Sequence, residues 1–251
     1  MLTQETLRKL NEMKLIGMAH GFAEQLASAQ ASHLAFEDRL GLLVDQEITY
    51  RENRRLTRLL QQAKLREAAA CIEDVDYRPG RGLDRAEVSS LALGNWIRSG
   101  INLIVTGPAG GGKTWLACAL GNQACRRGLT VQFQRLPLLL EELAISHGDG
   151  SFRKRLNQLA KLDLLILDDF GMAALNAIGR SDLLEVIESR CGTKSTLLTS
   201  QLPVERWHDY LSGGNTTVAD AILDRLVSGS QRIELKGESM RKLKGRSKAA
   251  A

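Results

Sequence analysis

The sequence predicts an α/β fold: a parallel sheet flanked by helices and preceded by a small all-α N-terminal domain. Three observations predict it. A glycine-rich loop, Gly107-Pro108-Ala109-Gly110-Gly111-Gly112-Lys113-Thr114, lies between a short apolar run and a helical stretch. A second apolar run, Leu164-Leu165-Ile166-Leu167, ends in the carboxylates Asp168 and Asp169. Beyond residue 84, strand-like runs alternate with helical periodicity, the pattern of a parallel sheet wrapped on both faces.

Residues 1 to about 72 contain no proline and follow helical periodicity. Leu7, Leu10, Met13, Leu15 and Met18 mark a first apolar stripe. Leu40, Leu43, Val44, Glu47 and Ile48 belong to a longer helix that continues through Leu56, Leu59 and Leu60. Its distal part, Arg51 to Arg66, carries Arg51, Arg54, Arg55, Arg58, Lys64 and Arg66 against Glu52 and the flanking Glu67. Such a run is commonly a solvated face; the imbalance of sign also suits contact with a phosphate backbone through Arg51, Arg54, Arg55 and Arg58. The segment Tyr77-Arg78-Pro79-Gly80-Arg81-Gly82-Leu83 rules out continued helix. A domain boundary is expected near 70–77, giving a helical domain over 1–73, an α/β domain over 74–243 and a basic tail over 244–251.

A helix is expected from Asp84 to about Ser99, then the strand Ile101–Thr106, the glycine loop, and a helix opening at Trp115-Leu116-Ala117. Thr130–Phe133 reads as a strand and Pro137 opens a helix through Ile145. The turn His147-Gly148-Asp149-Gly150 leads to a basic helix with Arg153, Lys154 and Arg155. After the Asp–Asp strand come a helix near Ser181–Arg190, a strand Ser195–Thr199, a helix opening at Pro203, a helix Val218–Val227 and a last strand Arg232–Leu235.

At 251 residues with 43% hydrophobic content, the chain can bury a sizeable core, while aromatics make up only 4%. The net charge of +5 favours an acidic partner such as nucleic acid. Cys71, Cys118, Cys125 and Cys191 form no metal-site spacing and no disulfide framework, and the four histidines are scattered. With no apolar signal core and no membrane-length apolar run, a cytoplasmic protein is expected.

The loop fits G-x-x-x-x-G-K-[ST], and its strand–loop–helix context is what the chemistry requires. Backbone N–H groups of such a loop turn inward around a phosphate, and the following helix N-terminus adds partial positive charge. Gly107, Pro108, Ala109, Gly110, Gly111, Gly112, Lys113, Thr114 and Trp115 therefore form the expected nucleotide cradle. Lys113 would reach the β- and γ-phosphates and the Thr114 hydroxyl would ligate Mg²⁺. Asp168 would stand near that ion as a Walker-B aspartate does, and Asp169 would act on the attacking water. An adjacent Asp pair can also be an ordinary turn or helix cap. ATP and Mg²⁺ are the expected cofactors.

Five stretches, with their spacing, resemble the IstB-like branch of AAA+ ATPases, kin of the DnaC helicase loaders: Asp76–Arg85, Leu164–Gly171, Leu198–Pro203, Ala221–Leu226 and Ile233–Arg241. The resemblance implies an AAA+ P-loop NTPase fold over 74–243. It also implies a helper ATPase that forms a homo-oligomer on double-stranded DNA and works with a transposase. By the same resemblance Gln201 senses the γ-phosphate, Arg225 is an arginine finger supplied in trans, and Arg241 is a second sensor arginine. The linker Tyr77–Leu83 would wall the adenine side. Gln201 alternatively caps the next helix, and Arg225 alternatively pairs with Asp220 or Asp224. Two features depart from the usual pattern: the loop residues Ala109-Gly110-Gly111 are unusually rich in glycine, and Asp169 stands where Glu is common. A helicase loader is the competing function; helicase loaders usually carry Asn where Gln201 stands. A small-molecule phosphotransferase would need an acceptor pocket and an arginine-rich lid between Lys113 and Asp168, where this sequence instead shows an ordinary helix–strand–helix–helix pattern.

Overall fold

The computed structural model describes residues 2–214, 216–237 and 239–240. It divides into two compact units, Met1–Arg58 and Leu59–Ala251.

The first unit is helical. Helices α1 (Leu2–Glu12) and α2 (Ile16–Ala27) replace the single apolar stripe expected over Leu7–Met18. Lys14, at φ +59°, breaks the helix between them. Helix α3 begins at Phe36 and ends at Ala63. Gly17 lets the start of α2 approach α3: a Cβ there would lie 2.7 Å from the Glu47 Cα. The buried Glu47 carboxylate accepts from the Met18 N–H at 3.1 Å and pairs with Arg51 at 2.6 Å. Burial alone would raise its pKa, but Arg51 and the N–H groups of Met18 and Gly17 outweigh that and hold it below the ordinary value.

The helix stops earlier than its periodicity suggests. Lys64, at φ +48°, ends α3, so Lys64, Arg66 and Glu67 lie beyond the helix. The two units divide within α3, upstream of the Pro/Gly break at 77–83.

The second unit is built on a five-stranded parallel sheet: β1 (Leu103–Thr106), β2 (Val131–Arg135), β3 (Leu164–Phe170), β4 (Ser195–Ser200) and β5 (Gln231–Glu234). The strand order is β2-β3-β4-β1-β5. All four pairings are parallel, with Ile104 opposite both Leu198 and Arg232, and Ile166 opposite Leu197. Strands covered on both faces read as continuous apolar runs, and Leu103–Val105, Leu164–Leu167 and Leu197–Leu198 are fully buried.

Around the sheet run α4 (Arg85–Ala92), α5 (Asn95–Arg98), α6 (Lys113–Arg126), α7 (Leu136–Gly148), α8 (Phe152–Ala160), α9 (Ala177–Glu188), α10 (Trp207–Ser212) and α11 (Thr216–Val227). The helix expected over Asp84–Ser99 is two, because Gly94 adopts φ +75° between them. Asp84 caps α4 by accepting from Ala86 N–H. Helix α7 runs through His147 and Gly148, which were expected to form a turn. After Pro203 a 3-10 turn, Val204–Arg206, precedes α10. Helix α6 comes close to the sheet at Gly121, where a Cβ would meet Ile166 Cδ1 at 2.8 Å. Among the described residues no helix is long and apolar enough to cross a membrane.

Arg190 locks the end of the sheet away from the glycine loop. Its side chain is fully buried and donates to the carbonyls of Leu159, Leu162 (3.1 Å) and Ser195 (2.5 Å) and to the Thr196 hydroxyl (3.2 Å). Burial lowers its pKa to about 10, still protonated at neutral pH. Arg190→Met keeps the bulk but strands these acceptors, at about 1–3 kcal/mol for each left unsatisfied. Denaturant unfolding should show a loss of about 3 kcal/mol or more. A loss below 1 kcal/mol, taking about that value as an ordinary surface change, would mean that water replaces the guanidinium.

Candidate nucleotide site

The glycine loop follows β1 at the carboxyl edge of the sheet, where ligands sit in open parallel sheets. Gly107, Gly110 and Gly112 take φ of +144°, +78° and +97°. A side chain would strain all three positions, so the backbone can curl only because they are glycines. The loop is also held from outside. Arg81 donates to the carbonyls of Asp76 at 2.7 Å and Gly111 at 2.9 Å. Leu235 N–H reaches Thr106 O at 2.8 Å and Met240 N–H reaches Gly110 O at 2.9 Å.

Lys113 opens α6 and is 8% exposed. Its ammonium donates to the carbonyls of Gly107 and Pro108, both at 2.9 Å, folding back across the loop. Thr114, one residue on, donates its hydroxyl to both Asp168 oxygens, at 3.0 and 3.1 Å. Asp168 is fully buried on β3 and also accepts from the Thr199 hydroxyl of β4. The Arg66 guanidinium lies 3.8 Å from it.

Strand β3 does not end at the carboxylates. It continues through Phe170, and its register with β4 shifts between Leu167 and Phe170, a bulge that contains both aspartates. Asp169 sits in that irregularity at φ +63°, and its carboxylate pairs with Arg135 Nε at 2.7 Å. The Asp–Asp pair is therefore neither a plain turn nor a helix cap: the bulge buries Asp168 and turns Asp169 towards the cleft.

A cavity of about 680 Å³ opens over the loop, lined by Ala109, Gly110, Gly112, Lys113, Thr114, Trp115, Asp169 and Gln201 among others. Gln201 follows β4 directly; it is exposed and its amide meets Met172 Sδ at 3.6 Å rather than capping the next helix. The linker expected to wall the cavity contributes Arg81, with Asp74 and Asp76 just before it. Tyr77 instead stacks under the Arg85 guanidinium, 4.8 Å from the ring centre. Arg225 is not at this cavity. It pairs with Glu188 of α9 rather than with Asp220 or Asp224, and donates to Ala221 O at 3.0 Å. Arg51, Arg54, Arg55 and Arg58 are exposed on α3. Arg51 is engaged with Glu47, and Arg54 lies 5.9 Å from the Tyr50 ring centre. Arg241 and the tail 244–251 lie outside the described residues.

These residues fit a magnesium–nucleotide group. Thr114 and Asp168 offer hard oxygen donors in contact with each other, and the adjoining loop and ammonium suit phosphate. Sequence reasoning missed Arg66 and Arg135 as residues of this site, because their neighbours in the chain carry no phosphate-site pattern.

The left-handed backbone at Asp169 separates two roles of this residue. Asp169→Asn and Asp169→Val both remove the charge and the Arg135 pair. Asn tolerates positive φ, whereas a β-branched residue does not, at about 1–2 kcal/mol. Chemical denaturation should find the Val variant less stable than the Asn variant by that amount; equal stabilities would show that the bulge relaxes.

The family described as IstB-like ATP binding protein matches residues 8–249. A Pseudomonas fluorescens protein named an insertion sequence IS1162 putative ATP-binding protein is 55% identical, over 81% of this chain and 88% of its own. A Sinorhizobium fredii protein named a putative insertion sequence ATP-binding protein is 49% identical, over 96% of this chain and 98% of its own. Among solved structures, the crystal structure of the DnaC helicase loader superposes with a TM-score of 0.54 at 22% identity, over 66% of this chain and 97% of that one. That likeness is one of fold: an AAA+ P-loop NTPase with a parallel sheet flanked by helices. By sequence, the chain belongs to the IstB-like ATP-binding protein family.

Proposed function

We propose that this chain is an ATP-dependent, DNA-binding AAA+ ATPase that forms a homo-oligomer on double-stranded DNA and assists a transposase in insertion-sequence transposition. The contact between Thr114 and Asp168 carries the nucleotide part, because it brings the loop and the acidic strand into one oxygen-donor pair. The transposition part is supported by relatives named for insertion sequences. The likeness to a helicase loader concerns shape alone and gives the loader reading no separate support.

Magnesium, held by Thr114 and Asp168 when the nucleotide binds, would neutralise charge that builds during transfer. The chain's own residues do the rest. Lys113 gives up the Gly107 and Pro108 carbonyls for phosphate oxygens, exchanging one set of acceptors for a charged one. Thr114 and Asp168 would offer the metal the oxygens that here hydrogen-bond each other. Asp169, once released from Arg135, orients the attacking water and accepts its proton. Gln201 reaches from the end of β4 towards the terminal phosphate. Arg225 does not line its own chain's cavity, which suits a guanidinium delivered to a neighbouring subunit; such fingers accelerate hydrolysis by roughly 10³–10⁵. Arg241 is proposed as a second sensor.

Lys113→Ala should lose most ATP affinity in equilibrium binding, while Asp169→Asn should bind ATP and fail to turn it over. Wild-type hydrolysis by Lys113→Ala would overturn the site assignment. Mixing Lys113→Ala with Arg225→Ala subunits should restore part of the activity, since each supplies what the other lacks. Concentration-independent turnover by a proven monomer would exclude a finger in trans.

DNA contact falls to the exposed arginines of α3. Binding should be sequence-tolerant and salt-dependent, with a log–log slope of about −0.9 per phosphate neutralised. Replacing Arg54, Arg55 and Arg58 with Ala should shallow that slope by up to about three contacts' worth without changing ATP affinity. An unchanged slope would move the DNA surface elsewhere, with Arg153-Lys154-Arg155 of α8 as the next site to test.

A further inference from the structure

Among the described residues, four cationic side chains line the cavity: Arg66, Arg81, Lys113 and Arg135. Lys113 is held by loop carbonyls, Arg81 braces the linker against the loop, and Arg135 pairs with Asp169. Arg66 differs from these in its partner. Its guanidinium is 46% exposed, and it faces the fully buried Asp168 at 3.8 Å, an ion-pair distance beyond hydrogen-bonding reach.

The backbone holds Arg66 there for a structural reason. The chain leaves α3 at Ala63 and turns at Lys64, and Leu65 then packs on α6, where a Cβ at Gly121 would meet its Cδ2 at 3.0 Å. Burial pushes the thiol of Cys118, also on α6, up to about 11, and the backbone N–H groups of Glu67 and Arg66 act against that rise. The helix that carries Lys113 and Thr114 at its start therefore fixes the Arg66 backbone one turn further on.

We propose that Arg66 is an additional phosphate-binding residue, acting within its own chain and selective for the triphosphate. This rests on the nucleotide reading above. A divalent metal held by Asp168 would repel a cation facing the same carboxylate, so the guanidinium would turn away from it. The new anion within its reach in that cavity would be the terminal phosphate of a nucleotide held by the glycine loop. Arg66 thus balances Asp168 in the nucleotide-free protein and the terminal phosphate in the loaded one. A diphosphate offers it no such partner.

The test compares fluorescent ATP and ADP analogues, titrated with Mg²⁺ into wild type, Arg66→Ala and Arg66→Lys, with thermal melting of each protein. Loss of a charge-assisted contact should weaken ATP binding by Arg66→Ala about tenfold or more, and ADP binding by less than about threefold. Arg66→Lys should recover part of the difference, since a point charge replaces a planar fork. Equal weakening for both nucleotides, or no change for either, at an unchanged melting temperature would overturn the proposal. If Arg66→Ala melts early, the ratio of ATP to ADP affinity in Arg66→Lys decides: a wild-type ratio overturns it and a reduced ratio supports it. Lys113→Ala in the same titration should lose both nucleotides. A wild type that binds neither would fail the nucleotide reading itself, a result distinct from failure at Arg66.

Discussion

Asp168 is a carboxylate with no access to solvent, and much of the second unit is arranged to make that tolerable. Moving an unpaired carboxylate into a protein interior costs several kcal/mol even after relaxation, roughly. Here the charge is met by the Thr114 hydroxyl from α6, the Thr199 hydroxyl from β4 and the Arg66 guanidinium from the segment after α3. Each compensating group comes from a different element, so the carboxylate ties together the loop helix, two central strands and the chain entering the unit. Replacing Asp168 by an apolar residue would relieve the burial and dissolve these ties at once.

The same demand explains the bulge. A regular β3 would point alternate side chains to opposite faces and carry Asp169 away from the cleft. The register shift between Leu167 and Phe170, with Asp169 at φ +63°, brings both carboxylates to the carboxyl edge of the sheet, one inward and one towards the cavity. Strained backbone of this kind persists only where the surroundings over-determine it. Here the Ser200 hydroxyl donating to Phe170 O at 2.7 Å and Arg135 on Asp169 at 2.7 Å both hold the strand past the bulge.

The sheet and the loop were legible in the sequence because both depend on local pattern. All five strands fall within a residue or two of where they were expected, and β1 and β3 stood out as continuous apolar runs, since buried parallel strands need apolar side chains on both faces. The loop was legible because its glycines and Lys113 are contiguous. Breaks that depend on one residue's φ were not: Lys14, Lys64 and Gly94 interrupt stretches whose periodicity runs on without them. Nor were contacts across the fold. Arg66, Arg81 and Arg135 lie far from the loop in sequence, and Glu188, the observed partner of Arg225, lies on α9 while the expected Asp220 and Asp224 are its neighbours on α11. A helix places residues three or four apart on one face, yet Asp220 and Asp224 are five and one positions from Arg225, so the geometry already disfavoured both.

The cleft as a whole is electrically self-occupied. Lys113 sits on carbonyls, Arg81 on Asp76 and Gly111, Arg135 on Asp169 and Arg66 on Asp168, so its cations are already engaged from within the chain. A phosphate ligand would therefore not fill a ready-made positive pocket; it would compete with carboxylates and carbonyls for the same donors. A metal held by Asp168 would give such an exchange its direction, leaving the cations for the phosphates. Binding of either alone leaves charges without partners, so the two should bind together, and each cation released in the exchange becomes free to act on the ligand or on the elements that carry it.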